Sequence, residues 1–240
     1  MESEARTLQM KAAAGRAAVD GLVKSGMKLG LGTGSTAIHA IRRIGELMEQ
    51  GVLKDIAAFA TSLQTEIECE RLGIPLFSLN SRELSGGLDL CIDGADEVDA
   101  GNFLVKGGGG ALLIEKIAAY ACGVYIIVAD ETKIVEHLGM VSPVAVEVVA
   151  AARVQAGRAI ESLGASCCLR EALRKAGPVI TEHGNLILDI RFGAPVDPRV
   201  METELNRIPG VVENGFFTRK KPIIYIARSD GTVEVRERKT

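Results

Sequence analysis

Over the first 130 residues one pattern recurs: a short apolar run, a turn rich in glycine or acid, then a segment with helical spacing. Residues 4–24 are alanine-rich with few breakers and read as a helix. The run 27–31 reads as a strand leading into Gly-Thr-Gly-Ser-Thr. In 36–50, Ile38, Ile41, Ile44 and Leu47 recur every three residues, as on one helix face. Strands are expected at 56–60, 75–79, 88–92 and 124–129, and helices at 65–72 and 111–121. Strands alternating with helices make βαβ units, hence an α/β fold with a mostly parallel sheet covered on both faces.

The pattern changes near residue 140. Residues 144–149 are strand-like, 166–170 and 185–192 read as strands, 151–163 is helical, and 197–207 is a helix with Pro198 in its first turn. Two strands facing two helices suggest a smaller inserted α+β domain over 141–214. The strands 222–228 and 232–236, joined by Ser229-Asp230-Gly231, return to the first domain, so 1–140 plus 215–240 forms the larger one.

Composition removes several function classes. At 47% hydrophobic and 25% charged residues the chain is globular rather than disordered. A net charge of −3 provides no basic field for nucleic acid or an anionic membrane, and the clusters at 219–221 and 236–239 read as solvated surface. The longest uncharged stretch after residue 100, 117–129, is far short of the ~20 residues that span a bilayer. The N-terminus carries two early glutamates and no apolar signal core. Five cysteines without CxxC spacing fit reduced thiols in a cytoplasmic protein. Three widely spaced histidines argue against a histidine-rich metal centre.

Three motifs can carry chemistry. In Gly30-Leu31-Gly32-Thr33-Gly34-Ser35-Thr36, bare backbone and the following helix N-terminus can cradle a phosphate; the plain alternative is a tight turn capped by Ser35 or Thr36. Serine at 35 departs from the dinucleotide fingerprint GxGxxG. In Asp93-Gly94-Ala95-Asp96-Glu97-Val98-Asp99, two carboxylates three apart can bind sugar hydroxyls or move protons; four acids can instead hold Mg²⁺, or form a solvated turn. In Lys106-Gly107-Gly108-Gly109-Gly110, four bare residues precede a helix, and Lys106 can neutralise an oxyanion. Glu115, set among Leu112, Leu113, Ile114 and Ile117, can be desolvated into a general base, or with Lys116 it marks the wet helix face. Lys133 follows a buried strand, Lys11 lies in the first helix, and Cys91 and Cys122 read as core rather than nucleophiles.

Taken in order, these segments resemble the ribose-5-phosphate isomerase A family. The resemblance covers nearly the whole chain: GLGTGST at 30–36, TSxxTE at 61–66, DGADEVD at 93–99, KGGGGALLxEK at 106–116 and ADETK at 129–133 carry it. PVAVEV at 143–148, GNLILD at 184–189 and IPGVVENGFF at 208–217 extend it. It implies a Rossmann-like α/β domain with an inserted α+β domain that serves oligomerisation or as a lid, a homodimer or homotetramer, and no cofactor or metal. The implied reaction is reversible isomerisation of D-ribose 5-phosphate to D-ribulose 5-phosphate, in the non-oxidative pentose phosphate pathway. Carried over by position, Glu115 is the proton acceptor, with Asp93, Asp96 and Lys106 in catalysis. Thr33, Gly34, Ser35 and Thr36 would bind substrate, with the Ser35–Thr36 hydroxyls and amides near its phosphate. Asp93, Gly94, Ala95, Asp96, Lys106, Gly107, Gly108 and Gly109 would line the sugar site, with Lys133 and Lys11 as further contacts.

Two rivals belong to other classes. A sugar-phosphate sensor without catalysis should carry a helix-turn-helix, and none is evident. A nucleotide-dependent oxidoreductase fails at Ser35, and its second strand ends in Ala60-Thr61-Ser62 with no acid for a ribose.

Overall fold

The computed structural model describes residues 2–237, so Arg238 and Lys239 of the second basic cluster lie outside the described residues. Along the chain run α1 (Glu2–Leu22), β1 (Lys28–Leu31), α2 (Ala37–Glu49), β2 (Ala57–Ala60), α3 (Leu63–Leu72), β3 (Leu88–Asp93), β4 (Glu97–Val98), β5 (Leu104–Val105), α4 (Leu112–Ala121) and β6 (Cys122–Asp130). After a 3-10 turn at Glu131–Lys133 come β7 (Val144–Val148), α5 (Arg153–Ser162), β8 (Ala165–Leu169), β9 (Leu186–Phe192) and α6 (Pro198–Asn206). The chain closes with β10 (Val211–Asn214), β11 (Phe216–Phe217), β12 (Ile223–Ala227) and β13 (Val233–Arg236). Two compact units result. The first holds residues up to Ala95, Ile114–Lys133 and those from Lys220 on; the second holds Asp96–Leu113 and Ile134–Arg219.

The first unit is built on a six-stranded sheet of order β13-β12-β6-β3-β1-β2, parallel except for β13 at its edge. Alternation along the strands sends Leu29, Leu31, Leu90, Ile92, Ile126 and Val128 to one face. There they pack against Met10, Ala14 and Ala18 of α1 and Ala40, Ile41 and Ile44 of α2. The three-residue spacing in α2 is thus its buried stripe. From β1 the chain steps one way to β2 and the other way to β3, a topological switch whose crevice opens beyond the carboxyl ends of β1 and β3. Gly32–Thr36 follows β1, and the acidic turn starts where β3 ends.

The segment 75–79 is not a strand. Only Leu76 bridges to Ala58, with Ala58 N–H donating to Pro75 O (2.9 Å) and Phe77 N–H to Ala58 O (2.8 Å). Pro75 has no N–H to offer, and the run leaves β2 after one bridge.

The second unit carries four antiparallel strands, β10-β7-β9-β8, of which β7, β8 and β9 fall on the segments read as strands and β10 does not, and a small sheet β11-β5-β4. Ala156 and Ile160 of α5 and Leu205 of α6 join Val144, Val146, Val148, Leu188 and Ile190 in its core. Strands β4, β5 and β11 span two residues each, too few to show a period of two. Cys122 opens β6, directly after α4 and two residues before the expected strand start at 124. Among the described residues no helix is long and apolar enough to cross a membrane.

Candidate active site

In the first unit, Gly32–Thr36 lies on the carboxylate of Asp93. Asp93 Oδ1 accepts the amides of Thr33 (3.1 Å) and Gly94 (2.7 Å). A Cβ on Gly32 would stand 2.1 Å from that oxygen and 2.6 Å from Asp93 Cα, so only glycine allows the approach. Thr33 is fastened by its side chain: Oγ1 lies 2.8 Å from Thr61 Oγ1 and donates to Ser62 Oγ at 2.6 Å. Thr65 Oγ1 donates to Gly32 O at 2.7 Å. The hydroxyls of Thr61, Ser62 and Thr65 therefore buttress the loop, a role the sequence shows only as threonines and serine at the end of β2. Gly34 donates its amide to Gln64 Oε1 at 3.2 Å.

The amides of Ser35, Thr36 and Ala37 have no acceptor among the described residues. They are orphan donors at the positive end of α2, the arrangement that holds a phosphate. Thr36 stands at the cap position, but its side chain makes no cap bond, which corrects the expectation of a capped turn. Ser35 is exposed, and Lys11 Nζ donates to its hydroxyl at 2.8 Å. The local field is positive. His39 lies below its usual 6.5 through burial, with the charges of Arg42, Lys11 and Arg16 adding to the effect.

Glu115 and Lys116, on α4, are 5% and 3% exposed. The wet face expected for them instead carries Ile117, 45% exposed. Glu115 shares its surroundings with Asp93: the phenol of Tyr125, on β6, is pushed well up by burial first and then by charges that include both carboxylates. The first unit thus brings together the phosphate-type loop, Asp93 and Glu115. Lys133 is half-buried on the 3-10 turn after β6. Cys91 and Cys122 are buried, and a hydrogen bond from the Cys91 thiol together with the charge of Lys220 holds the Cys122 thiol below its usual value. No local sequence signal links residues this far apart.

In the second unit, Asp96 plays toward the four glycines the part Asp93 plays toward Gly32–Thr36. Asp96 Oδ2 accepts the Gly108 amide at 2.8 Å, and a Cβ on Gly108 would come within 2.7 Å of Asp96 Oδ1. Lys106 is 3% exposed, its ammonium 5.7 Å from the centroid of the Phe217 ring. Its amide donates to Gly215 O at 2.9 Å, fixing the entry to the loop. The amides of Gly107 and Gly109 donate to no acceptor among the described residues.

The acidic turn does not gather its four carboxylates. Buried Glu97 accepts the amides of Gly139 (2.6 Å), Val141 (3.0 Å) and Ser142, while Asp99 accepts those of Gly101 and Phe103, both at 2.8 Å. Glu97 and Asp99 are committed to backbone, as Asp93 is through Thr33 and Gly94 and Asp96 through Gly108. A carboxylate cage of the kind Mg²⁺ prefers is not formed by these groups.

The family model for ribose 5-phosphate isomerase A (phosphoriboisomerase A) matches residues 57–231. The chain is 51% identical over 219 residues to the ribose-5-phosphate isomerase A of Treponema pallidum, covering 90% of this chain and 86% of the relative. The solved structure of ribose 5-phosphate isomerase A from Methanocaldococcus jannaschii superimposes with a TM-score of 0.89 at 38% identity, over 95% of this chain and 98% of that one. A D-ribose-5-phosphate isomerase solved in complex with phospho-erythronic acid has a TM-score of 0.90 at 39% identity, over the same shares of the two chains.

Proposed function

The chain belongs to the ribose-5-phosphate isomerase A family, and on that premise we propose that it interconverts D-ribose 5-phosphate and D-ribulose 5-phosphate, serving the pentose phosphate pathway. The relative bound to phospho-erythronic acid supports a phosphorylated, acid-like species as ligand. The observation that carries the reading is the burial of Glu115 in the unit that also offers the orphan amides of Ser35, Thr36 and Ala37.

In the proposed reaction, the phosphate lies against those amides, with Lys11 beside Ser35. Glu115 removes the proton from C2 of the open aldose, giving an enediolate, and returns it to C1. A carboxylate out of bulk water is a stronger base than an exposed one, and the glutamate base of triosephosphate isomerase performs the same step by analogy. One proton moves from O2 to O1 in the same passage, so atoms and charge balance; Asp93 and Asp96 are assigned this transfer and the opening of the ring. Lys106 with the Gly107 and Gly109 amides is assigned the charge developing on oxygen. Lys133 contacts substrate. The reading also makes the protein a cytoplasmic homodimer or homotetramer, consistent with five cysteines outside any disulfide.

Formation of ribulose 5-phosphate from ribose 5-phosphate, with and without EDTA, tests the proposal. Turnover is expected to be insensitive to EDTA and to fall by at least ~10²-fold in Glu115→Gln with phosphate affinity retained. Binding without turnover in the unaltered protein would make it a sugar-phosphate sensor, and near-normal turnover in Glu115→Gln would remove Glu115 as the base.

A further inference from the structure

GNLILD at 184–189 ends in an aspartate that the proposed chemistry does not use. Asp189, on β9, faces β8, and the residue that closes on it is Arg170, just beyond the end of β8. The pair is a fork on a fork: Arg170 Nε donates to Asp189 Oδ2 at 2.8 Å and Nη2 to Oδ1 at 2.5 Å. The side chains are 15% and 23% exposed. The third nitrogen is turned elsewhere. Arg170 Nη1 donates to Gly107 O at 2.8 Å and to Gly108 O at 3.1 Å.

Arg170 is itself held by backbone, its amide donating to Ile187 O and its carbonyl accepting from Val179, both at 2.9 Å. A guanidinium pinned by a carboxylate and a strand end thus grips two successive carbonyls of a segment that has no side chains of its own. Four glycines lose more conformational freedom on ordering than any other four residues, so something outside the segment must hold them. Asp96 holds the Gly108 amide from one side, and Arg170 holds the Gly107 and Gly108 carbonyls from another. A peptide plane gripped at its oxygen has its N–H direction set as well.

We propose that Arg170, locked by Asp189, is a positioning residue for the reaction: by holding the Gly107 and Gly108 carbonyls it fixes the peptide planes that carry the Gly108 and Gly109 amides, so that the unbonded Gly109 amide stays aimed at the oxygen that gains charge. The inference rests on the isomerase reading above. Lysine cannot replace the fork, because one ammonium cannot span a carboxylate and two carbonyls at once.

The test compares Arg170→Lys, Arg170→Met and Asp189→Asn with the unaltered enzyme. It reads kcat and KM for ribose 5-phosphate, the Kd of inorganic phosphate, thermal unfolding, and amide hydrogen exchange at Gly108. A misplacement of about 1 Å can cost ~10²-fold, so kcat is expected to fall by about 10- to 100-fold in both Arg170 variants and less in Asp189→Asn. Phosphate affinity should hold within about twofold, Gly108 exchange should quicken, and millimolar guanidinium should restore part of the activity of Arg170→Met. If Arg170→Met does not fold, Arg170→Lys and Asp189→Asn carry the comparison. Folded variants with unchanged kcat and unchanged Gly108 exchange would overturn the proposal. So would a parallel loss of kcat and phosphate affinity, which marks general loosening. If the unaltered protein shows no turnover, the isomerase reading fails, and the positioning role falls with it.

Discussion

In Gly32–Thr36 the backbone rests on Asp93 and is laced to Thr61, Ser62 and Thr65 through neutral hydroxyls. In Gly107–Gly110 it rests on Asp96 and is gripped by the charged fork of Arg170. Each loop uses a glycine to bring backbone against an aspartate, and the two aspartates are three apart in one turn. The first loop is braced by groups that leave the field positive around Ser35, which suits a dianion that only needs holding. The second is braced by a pair that cancels its own charge and leaves Lys106 as the ammonium of that loop. On the roles proposed above, binding and chemistry ask for different mountings of similar-looking sequences.

The sharpest way to break this comparison is to add one methyl to each loop. Gly32→Ala drives Cβ onto Asp93 Cα, a backbone atom that cannot step aside, whereas Gly108→Ala meets only the oxygens and carboxyl carbon of the Asp96 side chain. Overpacking of the first kind costs about 1–3 kcal/mol, and displacing the loop by about 1 Å costs ~10²-fold in turnover. Gly32→Ala should therefore lower both Tm and kcat/KM strongly, while Gly108→Ala keeps Tm near normal and loses less than about tenfold in kcat. Equal losses in unfolding scans and initial rates would mean that the two seats are equivalent.

The first loop and its sheet were legible because each strand there is long enough to show its period and each turn carries its own punctuation. Ile41 and Ile44 mark the buried stripe of α2, and the pattern around Leu29 and Leu31 marks β1. Burial of Glu115 was one of two readings its apolar neighbours left open and that of Lys116 was not legible, since two adjacent charges on a helix also read as its wet side, and only tertiary packing turned Ile117 outward instead. The mountings were invisible for another reason. Asp189 and Arg170 lie 19 positions apart and Gly107 lies 63 before Arg170, so nothing local in the sequence pairs them. Glu97 and Asp99 misled in the opposite direction: close spacing suggested a shared ligand, whereas each carboxylate closes its own backbone turn.

A smaller effect sharpens the charge side of the comparison. Lys11 meets Ser35 through a single bond at a partly solvated position, so Lys11→Met should raise KM for ribose 5-phosphate by about two- to fivefold, the worth of an exposed ionic contact of up to about 1 kcal/mol. On the proposed role, in which Lys11 meets the phosphate of bound substrate and transition state alike, kcat should not move. Steady-state kinetics at two ionic strengths checks this, and a drop in kcat at unchanged KM would move Lys11 from holding to chemistry.

The smallest effect reads the first loop without any turnover. His39 is held below 6.5 by burial and by Arg42, Lys11 and Arg16, so the folded protein binds its proton less tightly than the unfolded chain. Its contribution to stability is complete above pH 6.5, where both states are neutral there, and is lost as pH falls through that value, where the unfolded state takes up the proton first. A phosphate seated on the Ser35, Thr36 and Ala37 amides puts negative charge beside the same cations, and the titration of His39 should then move upward. Lys11→Met should move it upward without phosphate, since one of the three cations is gone. Imidazole resonances followed by NMR across pH 5–8, with and without saturating inorganic phosphate, read both shifts. A His39 titration that responds to Lys11→Met but not to phosphate would place the anion away from this loop, and with it would go the division of labour between the two.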